Sequence, residues 1–387
     1  MKRVLLVSLV ALSAASTACG AAKNDARSVQ TAQAAPAPKG ATALKIDTLA
    51  EGLVNPWGLG FLPDGSILVT ERDGKLRVIR DDRLVAAPVA GVPKAYVKSQ
   101  AGFFDVLAHP DFASNRTIFL SYAAGDAGAN ATRVISATFN GAELSGIKTI
   151  FETKTKKDTP AHYGARLAIL PDRTMLITIG DGFNYREKAQ DLSNGLGKIV
   201  RINLDGTIPA DNPFASKEGA LAEIWSYGHR NQQGLAIDPA TGVVYETEHG
   251  AKGGDEINII EKGANYGWPL ATYGIDYSGA QVTPFTEHPG TVQPIKYWTP
   301  SIAPSGLAVY RGTLFAGWDG DLLIGALAKN ALHRVDMESA AAVGEERYLD
   351  GERVRDVRVG PDGAIYVTTE DHDGAAVGKV LRLTPAS

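Results

Sequence analysis

Residues 57–71 read WGLGFLPDGSILVTE. Apolar residues alternate on both sides of Pro63, Asp64 and Gly65, and the second run closes on Thr70 and Glu71. Alternation at a period of two marks a half-buried strand, and Pro-Asp-Gly is turn chemistry, so the stretch predicts a β-hairpin. The phrase returns as GFFDVLAHPDFASNRTIFLSY (102–122), GARLAILPDRTMLITIGD (164–181) and QGLAIDPATGVVYETE (233–248). It returns again as SGLAVYRGTLFAGW (305–318) and VRDVRVGPDGAIYVTTE (354–370). The turns fall near Pro63, Pro110, Pro171, Pro239, Gly312 and Pro361, a repeat of about 60 residues that leaves room for two further strands in each unit. Six such units fill residues 44–385. The expected fold is therefore all-β, a six-bladed β-propeller. A β-helix has much shorter rungs, and a sandwich would not repeat one hairpin six times.

A propeller makes a geometric demand on the residues around each hairpin. The innermost strands ring the axis in one direction, so the residues entering them gather at one end of the central channel. The second strand of each hairpin returns its last residue to that same end. Entering the first strands are Gln100 in blade two, His162 and Arg166 in blade three, Arg230, Asn231 and Gln233 in blade four, and Arg353 and Arg355 in blade six. Ending the second strands are Glu71, Asp181, Glu248 and Glu370. SYGHRNQQG (226–234), which has neither a helical nor a strand period, thus reads as the rim of a shared pocket. Several arginines facing one cavity repel unless acids or a bound anion offset them, and their planar forks suit a polycarboxylate. His162 is the natural proton acceptor near neutral pH, and Asp181, at the end of its own blade's hairpin, can hold the second ring nitrogen.

The segment ETEHGAKGGDEINIIEKGANYGWP (246–269) joins glycine-permitted turns to Glu248, Asp255 and Glu256, a set suited to a hard cation bound through oxygen. No His/Cys spacing for zinc occurs, and no Gly-x-Gly-x-x-Gly leads from a strand into a helix for a nicotinamide. A net charge of −4 over 387 residues disfavours nucleic acid as a partner.

The N-terminus reads as an export signal over residues 1–18: Lys2 and Arg3 precede VLLVSLVALSAA, an apolar run too short to span a bilayer. The single cysteine, Cys19, follows small residues in the manner of a lipoprotein cleavage site, although Ser16 stands where leucine is usual. Residues 19–42 are Ala/Pro-rich and polar and read as a tether, leaving 43–387 as the propeller. The expected location is periplasmic or anchored by lipid at the outer membrane.

Several longer motifs resemble one family: PWGLGFLPDGSILVTERDGKLRVI, LAHPDF, AQDLSNGLGKIVRIN, EIWSYGHRNQQGLA, EHGAKGGDEIN, NYGWP and RVRDVRVGPDGAIYV. In order along the chain from about Leu44 to its end, they are similar to the glucose/sorbosone dehydrogenases, the soluble aldose sugar dehydrogenases dependent on pyrroloquinoline quinone (PQQ). The resemblance implies oxidation of an aldose at C1 to the lactone, with electrons passing to an external quinone or dye-like acceptor. It implies that His162 takes the proton of the C1 hydroxyl as hydride leaves for the quinone, that Asp181 orients it, and that Arg230 polarises the quinone oxygen. It makes Gln100, Asn231, Gln233, Arg353 and Arg355 contacts of PQQ, and Tyr273 and Tyr277 part of the sugar's wall. It places one Ca²⁺ on the carbonyls of Gly250 and Ala251, and a second on Glu256 and the carbonyl of Tyr266.

Three positions depart from the family pattern. Gln232 and Ala251 each stand where proline is usual, which loosens the backbone. In GALAKNAL (325–332) the cofactor-binding lysine falls on Ala328, with Lys329 one place later. Two other readings of the ring remain open: a calcium-dependent sugar lactonase, centred on metal-ligating carboxylates, and a non-catalytic carbohydrate- or protein-binding propeller.

Overall fold

The computed structural model describes residues 42–371 and 377–386. The expected export signal, Cys19 and the tether up to residue 41 lie outside the described residues. Six four-stranded antiparallel sheets form the described chain, five of them running in sequence order from an inner to an outer strand. The innermost strands are Pro56–Phe61, Phe103–Ala108, Leu167–Ile169, Gln232–Ile237, Pro304–Val309 and Val354–Val359. These are the blades of a β-propeller. The ring closes through Leu44–Leu53, which pairs antiparallel with Gly378–Pro385 and becomes the outer strand of blade six. The last blade thus combines both ends of the described chain, with Leu44–Leu53 as its outer edge strand and Gly378–Pro385 paired on both sides.

What holds the ring is apolar side chains between blades. Each of six buried clusters draws on two neighbours: Leu68, Val78, Phe103 and Val106 join blades one and two, for example, and Ala168, Leu176, Leu235 and Val244 join blades three and four. Leu53, Leu59, Val69, Tyr366 and Val380 seal the closing seam between blades six and one. Near the axis the backbones come so close that side chains must be absent. A Cβ on Gly58 would lie 2.9 Å from the Phe104 carbonyl, and one on Gly306 would lie 2.7 Å from the Asp356 Cα.

Five of the expected hairpins are strand pairs; the one at 305–318 is not. Its second strand is Leu322–Ala326, and residues 310–321 form a long connection. The apolar run there serves packing instead of pairing. Phe315 and Trp318 stack with centroids 4.6 Å apart, beside Tyr310 and Tyr348, and fill the gap between blades five and six.

Candidate active site

At the end where the innermost strands begin, side chains from all six blades line a cavity of about 290 Å³. Gln100, Asn231, Gln233, Ala328, Arg353 and Arg355 are among them, and Arg72, Trp57, Phe104, Tyr163 and His249 complete much of the wall. Trp57, Phe104 and Tyr163 form a continuous aromatic surface, with successive centroids 5.3 and 5.2 Å apart. Trp57 and Phe104 are each the second residue of their blade's innermost strand, and Tyr163 precedes that of blade three by four positions, so all three lie at the same end of the ring. Each reads in the sequence as an ordinary apolar residue at or just before a strand start.

One carboxylate serves the arginines. Glu370 Oε1 accepts from Arg353 Nε at 3.2 Å and from Arg355 Nη2 at 2.6 Å, while its other oxygen has no partner. Burial pushes the Glu370 carboxyl up, but Arg355, Arg353 and Arg72 outweigh it and hold the group below its usual range. Arg166, expected at this rim, lies beneath it. Its Nε donates to the Gln233 carbonyl at 2.7 Å and its Nη2 to the Arg355 carbonyl at 3.2 Å. Its Nη1 sits 2.9 Å from Asp356 Oδ1, and the guanidinium covers the Trp57 ring at 4.0 Å. Arg166 is a floor brace, held by partners on every side. Lys329 is exposed and does not line the cavity; its carbonyl accepts from Arg347. Gln232 turns away as well, donating to the Lys198 carbonyl at 3.1 Å, so its side chain gives the backbone an anchor where proline would have stiffened it.

Beside the cavity sits the acid–base pair. His162 Nδ1 and Asp181 Oδ1 are 2.7 Å apart, both nearly buried. Asp181 cannot swing: Oδ1 also accepts from the Phe183 N–H at 2.8 Å, Oδ2 accepts from the Trp268 indole at 2.8 Å, and its own N–H donates to the Arg230 carbonyl. With an ionised carboxylate at Nδ1, that nitrogen carries the proton and Nε2 is the free base; Nε2 has no hydrogen bond among the described residues. Burial is the main influence on His162 and lowers its pKa; Asp181 opposes it, and Arg230 adds to it. Burial raises the Asp181 carboxyl, but the bond and charge of His162 and the charge of Arg230 leave it below the usual value. The pair is poised as neutral imidazole and carboxylate.

A second hollow, of about 350 Å³, adjoins this pair through Phe183 and Trp268 and is lined by these, Arg186, Arg230, Asp276 and Tyr277 among others. His162 links the two spaces: its N–H is held by Gln100 Oε1 at 2.9 Å, and its ring meets Phe183 edge-on at 5.1 Å. Arg230 lies over Trp268 and Tyr277, at 5.3 and 5.8 Å, and donates to the carbonyls of His249 and Gly250. Of the two tyrosines expected in the sugar's wall, Tyr277 is here and stacks on Phe183, whereas Tyr273 stacks on Tyr297 at 3.9 Å, away from the hollow.

The cation-binding residues divide in two. Strand register sets Glu248 opposite Glu256 and Glu246 opposite Asn258, so three carboxylates and an amide share one sheet face. Like charges directly opposite destabilise a sheet. Burial first, and then the charge of Glu248, push both Glu246 and Glu256 well above the usual carboxylate range. Glu246 Oε1, Asn258 Oδ1 and His229 Nδ1 are buried without hydrogen-bond partners, and ligand atoms of His229, Glu246 and Glu248 lie within 4.8 Å of one another. Glu248, Glu256 and Tyr266 also border a void of about 10 Å³. This oxygen-rich, anionic set fits a hard cation. The alternation of Glu246 and Glu248 in ETE was the available signal for the extra carboxylate. The other pair fits less well. Gly250's carbonyl already accepts from Arg230, and Ala251 is a buried residue of the second hollow. Asp255 is no ligand: its oxygens take the N–H groups of Gly250, Ile302 and Ala303 and the Ser301 hydroxyl.

The profile of the Glucose / Sorbosone dehydrogenase family matches residues 53–382. Aldose sugar dehydrogenase YliI of Escherichia coli (strain K12) is 41% identical over 350 residues, covering 88% of this chain and 93% of that protein. A crystal structure of a glucose dehydrogenase superposes with a TM-score of 0.85 at 43% identity, over 89% of this chain and 100% of the other. The PQQ-bound form of an aldose sugar dehydrogenase from Streptomyces coelicolor superposes with a TM-score of 0.75 at 28% identity, over 90% and 99% of the two chains.

Proposed function

The chain belongs to the glucose/sorbosone dehydrogenase family and is a sugar oxidoreductase, and from that premise we propose that it oxidises aldoses at C1 to the lactone with PQQ as cofactor, delivering electrons to an external acceptor. One observation carries this reading: the His162–Asp181 pair touches Gln100 of an arginine-bordered cavity and Phe183 and Trp268 of an aromatic-walled hollow, which would let an anionic cofactor and a sugar meet at its Nε2. The cavity suits the tricarboxylate, with guanidinium forks, side-chain amides and a flat aromatic wall for a planar ring system. When bound, PQQ supplies the two-electron, hydride-accepting quinone.

The chain's own residues do the rest. Phe183 and Tyr277 offer apolar faces to a sugar ring in the second hollow. His162 Nε2 takes the proton of the C1 hydroxyl as C1 gives up hydride, and Asp181 stabilises the imidazolium that forms. Trp268, bonded to the far oxygen of Asp181, fixes the carboxylate's plane. Arg230 brings a permanent positive charge beside the reacting atoms, where negative charge develops. The acids Glu246, Glu248 and Glu256 would hold Ca²⁺ on one face of blade four, where Glu248 also accepts from the Arg230 N–H.

The purified protein, given PQQ and Ca²⁺, should reduce an artificial electron-accepting dye with a panel of aldoses and yield the lactone. No turnover with any aldose would favour a binding propeller, and lactone hydrolysis without a quinone would favour the lactonase. The arginine cavity supports the dehydrogenase over the lactonase, because hydrolysis has no use for a cationic pocket of this size.

Export, with acylation of Cys19, is part of the proposal. Radiolabelled palmitate should enter the wild-type chain in a bacterial host and fail to enter the Cys19→Ala variant; equal labelling of both, or of neither, would reject lipidation.

A further inference from the structure

Three guanidiniums border the 290 Å³ cavity, and they differ in what holds them. Arg355 is fixed by Glu370 through two nitrogens, at 3.1 and 2.6 Å. Arg353 shares the same carboxylate oxygen and also donates to the Leu327 carbonyl. Arg72, which follows Glu71 at the end of blade one's second strand, is the third. Its main chain is secured: the N–H donates to the Asn55 carbonyl at 3.0 Å, and the carbonyl accepts from the Phe103 N–H at 3.3 Å. Its guanidinium makes no hydrogen bond and no ion pair among the described residues, although the side chain is half-buried and lines the cavity.

The charge in this corner does not close. Among the described residues, Glu370 is the carboxylate that offsets the three arginines. Burial lowers the pKa of Arg72, with Glu370 opposing and Arg355 adding to the effect, and it lowers that of Arg353 in the same way, with Arg355 as the next cause. A cation half out of water, without a partner and beside like charges, is costly unless a ligand supplies the missing anion. The neighbouring backbone keeps Arg72 in place. A Cβ on Gly102 would fall 1.8 Å from the Arg72 carbonyl and 2.6 Å from its Cγ, so only glycine leaves room for the arginine stem. Ala328 contributes no charge to the same wall, and Lys329 is exposed and not part of the lining.

We propose that Arg72 is a cofactor-binding residue that grips one carboxylate of the quinone as a bidentate partner and thereby selects a polycarboxylate quinone over an uncharged one. Arg353 and Arg355 are already braced by Glu370, so Arg72 is the guanidinium with both donor edges available. The proposal rests on the reading of this cavity as the PQQ site, and the test separates the two. Binding of PQQ, and of its trimethyl ester, to the ligand-free protein is followed by quenching of tryptophan fluorescence in the wild type, Arg72→Gln and Arg72→Lys. Loss of a charge-assisted bidentate pair should weaken PQQ about tenfold or more in Arg72→Gln. Arg72→Lys should recover part of the loss, the ester should bind the wild type and both variants alike, and the ligand-free melting temperature of Arg72→Gln should not fall, since an unpartnered cation has been removed. PQQ binding as tight in Arg72→Gln as in the wild type overturns the role of Arg72. So does a loss that the ester shares equally, since that would mark a packing defect. A wild-type protein that binds no PQQ rejects the cavity's assignment, and Arg72's role with it.

Discussion

Replacing His162 with alanine is expected to lower kcat/KM for aldose oxidation about 10²- to 10⁴-fold, the usual weight of a positioned general base. PQQ affinity should stay within about threefold of the wild type, because among the described residues the side chain's hydrogen bond is to Asp181 and only the main-chain N–H reaches Gln100. The pH profile gives the second readout. Burial lowers the His162 pKa from its ordinary 6.5, so the base-competent neutral form is already dominant at pH 7. For the wild type, kcat/KM should therefore rise with pH in a step below 6.5 and be flat from there to pH 8. The alanine variant should lose that step along with the rate. Steady-state dye reduction across pH 5–8 decides it: a variant that keeps its step, or more than about a tenth of its rate, would remove His162 from the chemistry.

The fold could be read so fully because a hairpin is a local object: alternation and a Pro-Asp or Gly turn both lie within about fifteen residues, and six copies leave little choice of architecture. Two features escaped. The seam between Leu44–Leu53 and Gly378–Pro385 pairs residues more than three hundred positions apart, and nothing in either segment names its partner. The run 310–321 carries strand-like apolar residues, yet Phe315 and Trp318 pack as rings between blades, and alternation cannot tell the two uses apart. At the site, the His162–Asp181 pair was legible because both residues flank one hairpin. Residues reading as scaffold were not: Trp57, Phe104 and Tyr163 look like core, and His249, whose Nε2 lies 2.6 Å from the Pro304 carbonyl, looks like part of a loop. Arg166 failed in the opposite sense. Its place beside His162 suggested the rim, but side chains alternate along a strand, and its own turns down the axis to Asp356.

Removing divalent cations is expected to lower the melting temperature by an amount on the order of 10 °C, corresponding to about 4 kcal/mol when Ca²⁺ is at a thousand times its dissociation constant. The direction follows from Glu246, Glu248 and Glu256 sharing one buried sheet face. Without a cation, the folded chain relieves their repulsion by keeping protons on Glu246 and Glu256, whose pKa values lie well above the usual range through burial and the charge of Glu248. Folded protein then binds more protons than unfolded protein, so metal-free stability is full below the ordinary glutamate pKa of about 4.3 and declines as pH rises through the raised values. Ca²⁺ replaces those protons and should flatten the decline. Thermal unfolding from pH 5 to 8, in EDTA and in Ca²⁺, should give curves that diverge as pH rises. Glu256→Gln removes one charge from the face, and its cation-free form should lose less stability between pH 5 and 8 than the wild type while responding far less to Ca²⁺. Curves that coincide at pH 8 with and without the cation would mean that protons alone hold these strands together.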